Sequence, residues 1–293
     1  MASQRAARAL TPLTLALLIS QAAIVVTGGA VRLTGSGLGC PTWPECTPGS
    51  YFPVENQVEG VFHSWIEFGN RLLTFVLVIF ALATLIAVLR SGRKDLRPLA
   101  AGQFLGIFGQ GILGGITVLT DLNPITVAAH FLLSIILIAA AASLHSRRKG
   151  PAVRTQLSGR LSSYSKIHVM WAALVIVLGT IVTAAGPHAG DSDVPRLNLR
   201  IEDVARIHSL SVIILMLFTV AYYRHKDISA LTKRRLRIFL GISLAQGVLG
   251  YIQYFLGVPE LLVGLHILGT TLVWIAAWRI WLSVQFKAKE MAL

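Results

Sequence analysis

Charge is scarce in this chain: 13% of its 293 residues are Asp, Glu, Lys or Arg, against 54% hydrophobic residues. That balance excludes a soluble domain, because the apolar content exceeds what one globular core of this length can hide. Cysteine is nearly absent, with two residues in all, and the apolar runs contain no cluster of cysteine or carboxylate that would suggest zinc. Acid is the scarcer sign, leaving a formal charge of +13. The basic residues nevertheless sit in short connections between apolar runs rather than along one solvated face, so membrane topology explains them and no nucleic-acid partner is expected. The first run, after Arg5 and Arg8, continues to about Val31 without a small-x-small cleavage site at the usual distance. It is therefore expected to stay as a span rather than leave as a signal peptide.

What the chain does have is eight long uncharged runs, at about 11–31, 65–89, 98–120, 124–144, 167–186, 204–223, 236–256 and 260–282. Each is near the roughly 20 residues needed to cross a bilayer as a helix. The expected fold class is an all-α, multi-pass integral membrane protein with eight transmembrane helices. Of the 26 Lys and Arg residues, 21 fall on one side of these spans. The positive-inside rule then places the protein in the cell membrane with both termini cytoplasmic and the loops at 32–63, 121–123, 187–203 and 257–259 outside.

The two halves repeat. GQGILGGITVLTDLNPITVAAHFLLS, from Gly109, aligns without a gap on AQGVLGYIQYFLGVPELLVGLHILGT, from Ala245, so Gln110 matches Gln246 and His130 matches His266, each 136 residues on (266 − 130). EFGNRLLTF, from Glu67, aligns on ARIHSLSVI, from Ala205, and sets Asn70 opposite His208 at an offset of 138 (208 − 70). The end of the first run resembles the end of the fifth, with Gly28 matching Gly179 and Gly35 matching Gly186. Two tandem four-helix bundles follow, residues 1–150 and 151–293, joined by a polar stretch from about His145 to Lys166. Four spans per unit give both the same orientation, so their pseudo-twofold axis runs along the membrane normal.

His130, His208, His266 and Asn70 all enter their spans from the outer side, at roughly 6–9 Å depth for a rise of about 1.5 Å per residue. Ionisable groups inside a membrane are costly and tend to face a bundle interior. Paired imidazoles on facing helices are a common way to hold a heme iron from both sides, so His208 and His266 are read as axial ligands. In the first half Asn70 stands where the repeat would place histidine, and an amide is a poor iron ligand. His130 becomes the sole strong ligand there, leaving the other iron face weakly bound or open. His63, seven residues before Asn70, lies about 10 Å nearer the outside and is read as a loop or interface residue.

Glu67 shares a helical face with Asn70, three residues on, and two readings stay open. It pairs with Arg71 at i,i+4, or it serves as a proton acceptor or charge stabiliser beside the open heme. Cys40 and Cys46 lie together in the first outer loop, where an oxidising exterior favours a disulfide; a structural clamp and a redox role are both open. His188 is read as a polar loop residue, and His145, His168 and His225 as interface residues.

The motifs GSGLGCPTWPEC, IEFGNRLLTF, AAHFLLS, RIHSLS and GLHILGT, in this order over nearly all eight spans, resemble those of the heme A synthase family. The resemblance implies oxidation of the C8 methyl of heme O to a formyl group, giving heme A for cytochrome oxidase. It implies a heme b cofactor held by His208 and His266 in the C-terminal bundle. His130, with Asn70 and Arg71, would bind the substrate heme in the N-terminal bundle, with Glu67 as the catalytic carboxylate and Cys40–Cys46 as the first-loop disulfide. The implied partners are a heme O synthase, the assembling cytochrome oxidase, a membrane electron donor or quinone, and a further copy of the chain in a homo-oligomer. Two features depart from the pattern: Asn70 replaces a histidine that many members have, and the second-half cysteine pair of some relatives is absent.

The main rival is a diheme b-type cytochrome that passes electrons from quinol and makes no new heme. It explains the imidazoles, but not why only one half keeps Glu67 and loses an imidazole. A heme carrier or oxidase assembly partner, binding heme without turnover, is a third class.

Overall fold

The computed structural model describes residues 2–55, 57, 60–150 and 159–286. Among these residues there are eight long helices, all long and apolar enough to span a membrane, and no strands. They are α1 (Ala2–Leu33), α2 (Val61–Arg90), α3 (Arg97–Leu119), α4 (Pro124–Ser146), α5 (Gly159–Ala185), α6 (Ile201–Tyr223), α7 (Ala230–Phe255) and α8 (Glu260–Gln285). The chain is a multi-pass membrane protein. Most helices run several residues beyond the apolar stretch read from sequence, since polar ends continue the helix past the hydrocarbon layer. Part of the expected connecting stretch, residues 151–158, and the basic residues Lys287 and Lys289 lie outside the described residues.

Local chemistry fixes several of the ends. Asn123 caps α4 by accepting the Ile125 N–H at 3.0 Å, and Pro124 follows at the first helical position, where a missing N–H costs nothing. Ser229 caps α7 by accepting the Thr232 N–H at 3.1 Å.

The α3–α4 and α7–α8 turns are copies of each other. Leu122 (φ 53°) and Val258 (φ 63°), 136 residues apart, both hold the left-handed conformation that side chains with branches disfavour. Each donates its N–H to the carbonyl five residues back, Leu122 to Thr117 at 2.9 Å and Val258 to Gln253 at 2.7 Å. This six-to-one closure satisfies carbonyls that the ending helix leaves open. The duplication seen in the sequence thus extends to backbone strain.

Helices α1–α4 contact one another in a ring, α1 to α2 to α3 to α4 and back to α1, and α5–α8 do the same. The two rings meet where α4 packs on α8, flanked by α1 on α8 and α4 on α5. One apolar cluster, around Leu10, Leu17, Leu77, Ile107 and Leu144, fills the first ring. A second, around Ile176, Leu215, Tyr222, Phe239 and Ile280, fills the other and reaches Ile135 and Ile138 of α4. Indole N–H groups stitch the seam: Trp274 donates to the Ile135 carbonyl and Trp278 to the Ser143 hydroxyl, both at 2.7 Å. Inside the first ring the buried Gln21 amide donates to Gln103 at 3.0 Å, and Gln103 donates to the Leu137 carbonyl at 2.6 Å. These three helices are thereby locked by a satisfied buried network. Large apolar side chains such as Ile79, Leu105 and Leu217 are exposed away from the core, as lipid contact requires.

His168 departs from its reading as an interface residue. It is fully buried in α5, bonds Thr219 of α6 at 3.1 Å and packs edge-on against Phe239. The α5 helix begins at Gly159, well before the apolar run, and so carries His168 into the second core.

Candidate functional site

A cavity of about 1450 Å³ opens between the two rings toward the end where α4 and α8 begin. It exceeds the roughly 300–1,000 Å³ of a pocket for one small ligand. Asn70, His130, His208, His266, Glu67 and Arg71 all line it. The six positions picked from sequence are therefore brought to one space, half-buried or buried in the protein yet open to the cavity.

Each of the four repeat-related side chains sits beside a glycine of the preceding helix. A Cβ at Gly114 of α3 would lie 3.2 Å from Cε1 of His130, one at Gly179 of α5 3.3 Å from Cε1 of His208, and one at Gly250 of α7 3.4 Å from Cε1 of His266. The fourth pair is looser, with Gly28 of α1 3.9 Å from Nδ2 of Asn70. A Cβ at Gly114 or Gly179 would be tighter than ordinary contact, so the imidazole would have to give way. In the sequence Gly28 and Gly179 mark the repeat, and Gly114 and Gly250 are signalled only by their recurrence at its offset of 136 (250 − 114).

The imidazoles differ in what orients them. Nδ1 of His208 bonds the Val175 carbonyl at 3.1 Å, which fixes Nδ1 as the donor and leaves Nε2 bare as a lone-pair donor. A carbonyl bonded to the other ring nitrogen in this way commonly orients a metal-ligating histidine. Nδ1 of His130 and of His266 is buried without a partner among the described residues. Their backbones are also matched: Ser134 donates to the His130 carbonyl and Thr270 to the His266 carbonyl, at 3.2 and 2.9 Å. Gln110 adds two donations, to Ser134 Oγ at 2.7 Å and to the His130 carbonyl at 3.1 Å. Gln246 instead lies against Gly269, where a Cβ would fall within 1.6 Å of its amide nitrogen.

Glu67 and Arg71 form the i,i+4 ion pair at 2.7 Å, and the pair does more than neutralise itself. Glu67 Oε2 accepts the Cys40 N–H at 2.6 Å, while Arg71 donates to the carbonyls of Cys40, Thr42 and Glu45 at 2.7–3.1 Å. The 40–46 segment is thus nailed to α2 by charge-assisted bonds. Cys40 and Cys46 form a disulfide, both fully buried. Beyond it, the Trp43 ring lies flat on α3 at Gly115, where a Cβ would come within 2.4 Å of the ring. The loop therefore covers the outer end of the first ring's share of the cavity.

The remaining histidines are secondary. His63 lies in the first turn of α2 rather than in a loop, and its Nδ1 bonds Ser36 at 2.9 Å. His188 keeps its polar loop role, tying the α5–α6 loop to the α7–α8 turn through the Val258 carbonyl at 2.7 Å. His145 bonds Thr14 at 3.0 Å at the opposite end of the bundle.

The COX15-CtaA profile, described as cytochrome oxidase assembly protein, matches residues 11–195, well over half of the chain. The chain belongs to this family. Among its relatives, a heme A synthase of Geobacillus kaustophilus is 32% identical over 110 residues, covering 36% of this chain and 32% of the relative. One of Geobacillus thermodenitrificans is 30% identical over the same shares of each chain. A heme A synthase of an Exiguobacterium species is 26% identical over 234 residues, 76% of each chain. The matched region thus spans about a third of the two Geobacillus relatives and three quarters of the third. The COX15-CtaA match runs from within α1 to beyond the end of α5 and contains the disulfide loop, Glu67, Asn70 and His130.

Proposed function

We propose that this COX15-CtaA family member is a heme A synthase that oxidises the C8 methyl of heme O to a formyl group, giving heme A for cytochrome oxidase. The observation that carries the reading is the shared cavity. It gathers the imidazoles of His130, His208 and His266 and an ion-paired carboxylate in an apolar, membrane-embedded space large enough for more than one small ligand. The names of the relatives point to the same activity.

The second ring's side chains support a heme b there: Val175 holds His208 with Nε2 bare, His266 lines the same cavity, and glycines stand behind both imidazoles. His208 and His266 are the residues that would hold its iron, and the group, when bound, would supply one-electron redox chemistry. Residues 1–150 would form the substrate unit and 151–293 the cofactor unit.

In the substrate unit His130 is the proposed ligand of the heme O iron, with Asn70 and Arg71 beside it. Glu67 is the proposed catalytic carboxylate, able to accept a proton or stabilise a cationic intermediate at the reacting edge. Arg71 and the Cys40 N–H hold that carboxylate in place, so loop and catalytic group are one assembly. The apolar walls suit a farnesylated macrocycle and keep water from the reacting carbon. The heavy bias of basic residues to one side of the spans supports a cell-membrane protein with both termini cytoplasmic, and so a cavity mouth facing outside. A heme O synthase, the assembling oxidase, a membrane electron donor or quinone and a second copy of the chain are the partners this role calls for.

The test is incubation of the purified protein with heme O and a reductant, followed by chromatographic analysis of extracted pigment. Conversion to heme A is expected. Unchanged heme O with intact b-type absorbance would leave an electron-transfer cytochrome or a carrier instead.

A further inference from the structure

The repeat equates Asn70 with His208, and the surroundings of the two show what the exchange does. In the second ring His208 Nδ1 reaches the carbonyl of Val175 directly. The first-ring counterpart of Val175, at the Gly28–Gly179 offset of 151, is Ile24. Asn70 makes no bond to that carbonyl. Thr27 stands between them, its hydroxyl 3.2 Å from the Ile24 carbonyl and 2.7 Å from Asn70 Oδ1. The amide bond is the shorter of the two, so the Thr27 proton lies toward Asn70 and the amide oxygen is the occupied end. Asn70 Nδ2 donates to nothing among the described residues, and it belongs to a side chain that lines the cavity. Across the ring, His130 holds the place that His266 holds against His208. An amide N–H₂ is a donor with no lone pair to give a metal.

We propose that Asn70 is not an iron ligand but a fixed hydrogen-bond donor to a small exogenous ligand, a diatomic or water, on the open face of a substrate heme bound through His130 alone. This rests on the reading of the first ring as the heme O site. Donors on the far side of a heme pocket decide between oxygen binding and activation, and a positioned amide selects ligands that carry partial negative charge. The contrast between the two rings then has a cause: in the second an imidazole is oriented by a backbone carbonyl, in the first an amide is oriented by the Thr27 hydroxyl.

The test uses the full chain in nanodiscs, loaded with heme O, reduced without oxygen and exposed to carbon monoxide. A heme b held by His208 and His266 has no open face and does not take up the gas, so the signal reports the first ring alone. In the wild type, carbon monoxide binds and its C–O stretch is lowered by the donor. Asn70→Leu is expected to raise that stretch and speed dissociation of the gas. Thr27→Val, which frees the amide to turn, is expected to broaden the band. Asn70→His is expected to give a low-spin, six-coordinate heme O that no longer binds the gas. Retained b-type absorbance shows that each variant is folded. A wild type that takes up heme O yet binds no carbon monoxide overturns the proposal, as does a stretch unchanged or lowered in Asn70→Leu, the latter because the amide oxygen would then be the end facing the ligand. Failure to take up heme O at all overturns the substrate-site reading beneath it.

Discussion

Arg32 of α1 donates to the backbone carbonyl of Thr183 of α5 at 2.8 Å, and the two residues are counterparts in the repeat, 151 positions apart like Gly28 and Gly179. A bond between equivalent positions marks where the two rings approach along the cavity wall. Only one partner can carry the charge, so the duplication is broken at the seam as well as at Asn70. Arg32→Met keeps the apolar stem and deletes the bond. Because this bond is exposed on the cavity side, the expected loss is about 1 kcal/mol, below the usual value for a charged donor. Thermal unfolding followed by b-type absorbance would read it as a small drop in Tm with an unchanged spectrum.

Glu67 holds the loop and carries the proposed chemistry, and two substitutions separate these roles. Glu67→Gln keeps an oxygen that can accept the Cys40 N–H, so the fold and the b-type absorbance should survive, while heme A yield should fall by roughly 10²–10⁴. Glu67→Ala additionally strands Arg71 and the Cys40 N–H, at a cost of about 1–3 kcal/mol. Comparable turnover in Glu67→Gln and wild type would reduce the residue to a loop anchor.

The glycines behind the imidazoles should respond unequally to alanine. A helix gains about 1 kcal/mol from Gly→Ala, and overpacking costs about 1–3 kcal/mol. At Gly28, where the new Cβ meets only ordinary contact at 3.9 Å, the gain should dominate. At Gly179, with a contact of 3.3 Å to the ring, the strain should dominate and tilt His208. Electron paramagnetic resonance of the proposed heme b, oxidised, would show altered g-values in Gly179→Ala and none in Gly28→Ala. Complete removal of His208 should abolish the b-type spectrum.

The disulfide closes a loop with a separation of six residues, which corresponds to about 2 kcal/mol of chain entropy. That loop is also pinned by Glu67, Arg71 and the Trp43 ring on α3, so the double substitution Cys40→Ser, Cys46→Ser should lower Tm without releasing heme b. A clamp predicts that heme A yield falls in step with stability. Abolished turnover at a temperature where the variant is fully folded would identify thiol chemistry instead.

Much of this protein is written along one dimension. Eight spans follow from hydropathy, because a helix that must satisfy its own backbone in lipid needs an unbroken apolar run. The paired histidines, the odd Asn70 and the tandem halves follow from a repeat whose offset shifts only between helices, and the Cys40–Cys46 proximity from their spacing in one loop. The tertiary structure decided everything that depends on how closely two helices approach. His168, near the end of its apolar run, is a core residue because α5 begins earlier than hydropathy requires and packs on α6 and α7. Glu67 anchors the disulfide loop because that loop folds back over α2, which no helical period records. Which imidazole finds a carbonyl, how closely each meets its glycine, and that Asn70 is held by the Thr27 hydroxyl are set by distances of a few ångströms between helices. A residue's own sequence neighbours carry no information about those distances.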